Sequence, residues 1–120
     1  MGFTDFGLLQ LGSFVLGSTV VFPGSMAFGT GSNLFIGSQA HLNAEFLRKA
    51  IGWEWNGTDP RGTVLFSAFE ANGSYFGEVG ITNGSPFLGS NMWSRDLSSI
   101  GSKQPNYALE VIFETRIRRF

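Results

Sequence analysis

The stretch from Phe66 to Lys103, FSAFEANGSYFGEVGITNGSPFLGSNMWSRDLSSIGSK, decides how the chain is read. Asn72-Gly73 and Asn83-Gly84 fall between short runs in which apolar and polar residues alternate. Asn-Gly supplies the positive φ that a tight reversal needs, and alternation with a period of two marks a half-buried strand. The stretch therefore predicts a β-meander. In FGEVGITN, Phe76, Glu78, Gly80 and Thr82 point one way, and Gly77, Val79 and Ile81 the other. Two roles suit Glu78: accepting backbone amides at a turn, or pairing with Arg95 across the meander.

Working toward the C-terminus, Pro86 to Leu97 reads as a further strand and Ser98 to Pro105 as a polar loop. Tyr107 to Arg119 is a long alternating strand. Tyr107, Leu109, Val111, Phe113 and Ile117 share one face, and Glu110, Glu114, Arg116 and Arg118 share the other, which faces water or a partner.

Working toward the N-terminus, TVLFSAFEA (Thr63 to Ala71) is apolar on both faces, as in a sandwich or against a neighbouring subunit. Asn56-Gly57 and Asp59-Pro60-Arg61-Gly62 carry turn chemistry and read as a loop. Before it, Leu47, Lys49, Ile51, Trp53 and Trp55 alternate along one strand face, and Ser38 to Lys49 allows a helical turn capped by Ser38. Val20 to Gly29 is a strand with Pro23-Gly24 at a bulge or edge, followed by the GTGSN loop. At the start, Leu8, Leu11 and Val15 have helical spacing while Gly12 and Gly17 oppose it, so residues 1–19 form a short helix or an extended arm, with the helix preferred. The expected fold is all-β: an antiparallel β-sandwich of about six or seven strands over residues 20–120, with the N-terminal arm or short helix before it.

Composition narrows the function. A net charge of -1 with 14% charged residues does not suit a protein that grips a polyanion. With no cysteine there are no disulfides, thiolate metal sites or thiol nucleophiles, which suits a chain made in a reducing cytosol. No run reaches the roughly 18 apolar residues of a membrane span. The apolar N-terminal segment lacks a basic start, carries Asp5 and is interrupted by glycines, so it does not read as an export signal. The sequons at Asn56, Asn72 and Asn83 are all Asn-Gly turns. Low charge beside 15% aromatic residues points to a surface covered by other subunits.

Catalytic chemistry finds little support. His41 with Glu45 falls short of a zinc ligand set, no nucleophile elbow is present, and the GTGS at Gly29 lacks the ending of a phosphate loop. Glu45, Glu54, Glu70 and Glu78 are the carboxylates from which a glycosidase pair would have to come, but strand-face glutamates more often meet water or a cation. No catalytic residue, cofactor or metal is assigned. The Arg-rich end, Thr115 to Phe120, reads as a protein contact rather than a phosphate contact.

AFGTGS (Ala27 to Ser32), HLNAEFLR (His41 to Arg48), FEANGSYFGEVGITNG (Phe69 to Gly84), MWSRDLSSIGSK (Met92 to Lys103) and YALEVIFETRIRRF (Tyr107 to Phe120) follow one another in an order that resembles the virion-attachment domain of tail-collar fibre proteins of tailed bacteriophages. Family members open with a more regular helix and continue into a long trimeric shaft, which this sequence lacks. The resemblance implies a non-enzymatic virion structural protein of the tail, baseplate or fibre-attachment apparatus. It implies manufacture in the host cytoplasm, contact with other virion proteins, and a homo-oligomer with a trimer favoured. Neither nucleic acid nor membrane is an expected partner. Trp53, Trp55, Trp93, Arg116 and Arg118 are the expected contact residues. A capsid decoration protein is the alternative within the same class. A carbohydrate-binding module, with Trp53 and Trp55 stacking on sugar rings, is the alternative outside it, although their shared direction with Ile51 suggests burial.

Overall fold

The computed structural model of the chain describes residues 2–17, 23–32, 42–57, 59–83 and 92–114. Within them β1 (Gly2–Phe3) leads into α1 (Asp5–Val15), and the strands β2 (Ser25–Gly29), β3 (Glu45–Ala50), β4 (Gly52–Asn56), β5 (Asp59–Phe66), β6 (Tyr75–Thr82), β7 (Met92–Ser102) and β8 (Leu109–Glu114) follow. All pairings are antiparallel. They build a five-stranded sheet in the order β1-β7-β6-β2-β3 and a three-stranded sheet in the order β4-β5-β8. The all-β class, the two antiparallel sheets and the N-terminal helix agree with the sequence pattern, and the described residues hold eight strands rather than six or seven.

The main core lies between the sheets. Met26, Phe28, Phe76, Val79 and Ile81 come from the larger sheet and Val64 and Phe66 from the smaller. Phe28, Phe66 and Phe76 meet edge to face with ring centroids 5.0–5.4 Å apart, the arrangement favoured by the ring quadrupole. Strand β8 alternates as expected: Leu109, Val111 and Phe113 are half-buried, while Glu110, Ile112 and Glu114 are exposed. On the other face of the larger sheet, Ala27, Leu42 and Met92 form a second small cluster.

Several sequence expectations are corrected. The run from Leu47 to Trp55 is two strands in different sheets. The chain leaves the larger sheet after Ala50, the Ile51 amide donates to the Gly24 carbonyl at 2.9 Å, and β4 begins in the smaller sheet at Gly52. The helical turn expected over Ser38 to Lys49 gives way to strand β3 from Glu45, and Ser38 lies outside the described residues. The DPRG stretch is strand, not loop: Gly57, at φ 67°, starts the reversal that pairs Asn56 with Asp59. Pro60 stands opposite Trp55 near the start of β5, and among the described residues β8 joins β5 from Arg61 onward.

The three-stranded meander also fails. β5 and β6 belong to different sheets, and Asn72-Gly73, with φ 54° at Ala71 and 79° at Gly73, turns a crossover rather than a hairpin. TVLFSAFEA is not buried on both faces: the strand stops at Phe66, and Leu65 and Phe69 are 62% and 86% exposed. Phe76 does not share the Glu78 face, because a register shift between them carries Phe76 into the core with Val79 and Ile81. β7 runs on to Ser102, paired with Tyr75, through residues whose polarity reads as loop. Gly84 and residues 86–91 lie outside the described residues.

Candidate assembly interface

Trp53 and Trp55 are two residues apart on β4, so both indoles leave the same face. Pairing sets Trp53 opposite Gly62 and Trp55 opposite Pro60. A Cβ on Gly62 would lie 2.7 Å from the Ile51 Cγ2 and 3.1 Å from the Trp53 ring, so the glycine leaves the space in which the indole lies across β5. Trp53 Nε1 donates to the Pro23 carbonyl at 3.0 Å, and the ring meets Phe113 edge-on at 6.1 Å. Trp55, one turn of the pleat further on, is 73% exposed, which removes the expectation that its direction buries it.

Trp93 reaches the same place from β7. Together with Phe3, Leu11 and Phe113, the three tryptophans line one open groove of about 480 Å³ whose walls come from both sheets and from α1. Its polar lining is Ser94 and Glu54, and Glu54 is held by Arg61 at 2.8 Å. The sequence names the three tryptophans as contact candidates without any signal that they meet; strand pairing brings them together. Arg116 and Arg118, the other two contact candidates, lie outside the described residues.

Helix α1 is fastened to this region by its first turn. The Thr4 hydroxyl accepts the Gly7 amide at 3.1 Å and donates to the Met92 carbonyl, while the Thr4 amide donates to the Trp93 carbonyl at 2.9 Å. One residue therefore caps the helix and ties it to β7. A Cβ on Gly7 would lie 2.2 Å from the Trp93 carbonyl oxygen, so glycine alone permits this contact of helix on strand backbone. Thr4 followed by Asp5 is the helix-start signal that the sequence carries. Past this turn Gln10 and Ser13 are half-buried, and Leu8, Leu9, Leu11, Phe14 and Val15, with Leu16 at its end, are 43–83% exposed.

A second site supports the frame. Glu78 on β6 and Arg95 on β7 lie on a diagonal, their side chains fully buried, and Arg95 Nε donates to Glu78 Oε1 at 3.0 Å. The same carboxylate accepts the amides of Gly31 at 3.0 Å, Asn43 at 3.0 Å and Ala44 at 2.8 Å. Both roles foreseen for Glu78 hold at once, with the amides coming from distant segments rather than from an adjacent turn. Gly31 precedes and Asn43 follows residues 33–41, so one carboxylate fixes both ends of that segment. A Cβ on Gly29 or Gly31 would lie 2.6 or 2.4 Å from Glu78 Oε2. AFGTGS, HLNAEFLR, FGEVG and MWSRD thus converge on one buried charge. Burial raises the pKa of Glu78, but the Asn43 and Ala44 amides, the Arg95 guanidinium and the Gly31 amide outweigh it and hold the carboxyl below its usual range. Arg95 Nη1 and Nη2 are buried and meet no hydrogen-bond partner among the described residues.

Each carboxylate considered for catalysis sits beside a cation: Glu45 with Arg48 at 2.7 Å, Glu54 with Arg61 at 2.8 Å, Glu70 with Lys49 at 2.7 Å, and Glu78 with Arg95. No two of these four line the same described cavity; Glu54 and Glu110 share a depression on the outer face of the smaller sheet with Lys49 and Arg61. Among the described residues no group of three or more His, Asp or Glu is placed to hold a metal ion, and His41 lies outside them. No helix among the described residues is long and apolar enough to cross a membrane. Compared with protein-family models, curated proteins and solved structures, the chain matches none.

Proposed function

We propose that this chain is a non-enzymatic structural protein of a tailed-phage virion, a tail, baseplate or fibre-attachment subunit that works by docking other virion proteins and copies of itself. The observation that carries the proposal is the convergence of Trp53, Trp55 and Trp93 on one open apolar groove beside an exposed apolar helix. Soluble monomers rarely leave contiguous apolar surface of this kind in water, and tryptophan is the residue type that most often anchors a protein interface. Trp53 and Trp93 are rooted in the core edge, which holds the groove rigid, while Trp55 is left free for a partner. A capsid decoration protein would use the same groove and differs in its place in the particle.

Trp55 also favours a second reading, a carbohydrate site, because its ring is open to stack on a sugar. Against that reading, the groove offers few polar groups to bind hydroxyls, and Glu54 is already taken by Arg61.

The test is quantitative mass spectrometry of purified particles and their tail fraction, with complementation by Trp55→Ala. The proposal expects the chain at fixed copy number in the tail, and a folded variant that fails to incorporate. Absence of the wild-type chain from particles overturns the proposal, and glycan binding abolished by Trp55→Ala replaces it with the carbohydrate reading.

A further inference from the structure

We infer that α1 is the element through which copies of this chain bind one another, helix against helix, on the face made by Leu8, Leu9, Gly12, Val15 and Leu16. The inference rests on the assembly reading above and adds to it the partner, a second copy, and the surface, which is distinct from the tryptophan groove.

A helix that is apolar around most of its circumference requires burial on more than one side. α1 receives it on one: Gly7 is its buried residue, pressed on the β7 backbone. The apolar surface left on this face by Leu8, Leu9, Val15 and Leu16, 56–83% exposed, comes to roughly 500 Å² for side chains of this size, so two copies would bury about 1,000 Å², the lower bound for a specific interface. No charged residue follows Asp5 in the helix, so the face complements neither an acidic nor a basic partner and lacks the Lys or Arg of a helix that lies on a membrane surface.

Gly12 is the independent observation. Glycine weakens a helix interior, and the other glycine of α1 is required by the Trp93 backbone. A Cβ on Gly12 would meet nothing within 4 Å among the described residues, so none of them requires the glycine. Its neighbours on the helix surface, three and four residues away, are Leu8, Leu9, Val15 and Leu16, which places Gly12 at the centre of the exposed face. A glycine there lets a second helix backbone approach closely while the surrounding aliphatic side chains interlock. The same face on every copy is self-complementary, as a symmetric contact requires.

The experiment is light scattering after size exclusion on the full chain over a concentration series, comparing wild type, Gly12→Leu, Leu16→Glu and Trp55→Ala. Gly12→Leu adds apolar area and helix propensity, so indiscriminate stickiness would increase association, whereas a close helix crossing is blocked. Wild type is expected to form a defined oligomer. Gly12→Leu and Leu16→Glu are expected to weaken it at least about tenfold with unchanged far-UV circular dichroism, and Trp55→Ala is expected to leave it intact. A monomeric wild type, or a Gly12→Leu variant as associated as wild type, overturns the inference. So does a monomer that floats with phosphatidylcholine vesicles through α1. Loss of the oligomer in Trp55→Ala alone overturns the role of α1 while leaving the assembly reading standing. An α1-dependent oligomer that is absent from particles overturns the virion reading and leaves this inference standing.

Discussion

Around Glu78 the protein buries two opposite charges completely, whereas along α1 and at Trp55 it leaves hydrocarbon facing water. Each region inverts the usual partition for its own reason. The buried carboxylate receives three amides and a guanidinium from three places in the chain, so its desolvation is offset by hydrogen bonds within one molecule. The exposed leucines and Trp55 have no such compensation among the described residues. Unmet needs at the surface mark what a partner is expected to supply, and met needs in the interior mark what the chain requires to fold.

If that division is right, the largest effect belongs to the charge. Glu78→Gln leaves Arg95 buried without its counter-ion and is expected to cost about 3–5 kcal/mol in urea unfolding. Glu78→Gln with Arg95→Met is expected to be less destabilising than the sum of the two single changes; additive costs would deny the coupling.

Acid reads the same charge in the wild-type protein. The folded pKa of Glu78 lies below its usual 4.5, so the unfolded chain takes up the proton first. The stabilisation is complete above about pH 4.5 and fades as pH falls toward the lower folded value. The wild type is therefore expected to lose stability below pH 4.5 more steeply than Glu78→Gln, and parallel pH profiles of the two would contradict the clamp.

Gly31→Ala comes next. Its Cβ would meet Glu78 Oε2 at 2.4 Å, Glu78 Cδ at 2.8 Å and Asn43 Cβ at 2.9 Å, and the crowding is expected to cost about 1–3 kcal/mol. The tryptophans sharpen the contrast at the small end. Trp53→Ala removes a hydrogen bond and a ring contact and is expected to cost about 2 kcal/mol, less than for a fully buried aromatic residue. Trp55→Ala, from the same strand face, is expected to stay within about 0.5 kcal/mol of wild type. Equal losses at the two positions would mean that Trp55 serves the fold rather than a partner.

Which of these features could be read from the sequence follows from how far their causes reach. The alternation in Val79, Ile81 and Leu109 to Glu114 is a local signal of one buried face, and it gave the strands and the all-β class. The passage from β3 to β4 at Ile51-Gly52 was hidden, because a period of two identifies faces and is blind to a change of sheet. Pro60 and Gly62 read as breakers because local propensity cannot know that Pro60 is paired with Trp55 across the β4–β5 ladder or that Gly62 seats an indole. Glu78 stood out as a carboxylate within an apolar strand, and Arg95 was a natural partner. The amides of Gly31, Asn43 and Ala44 were out of reach because they arrive through tertiary structure. The groove was invisible for the same reason, although each of its tryptophans was named.

Hydroxyl-radical footprinting of Trp55 in the isolated chain and in the purified particle tests the central claim most directly. Trp55, 73% exposed in the chain by itself, is expected to label readily there and to be strongly protected in the particle. Equal labelling of Trp55 in the two states would contradict the claim that the exposed apolar surface exists to be covered.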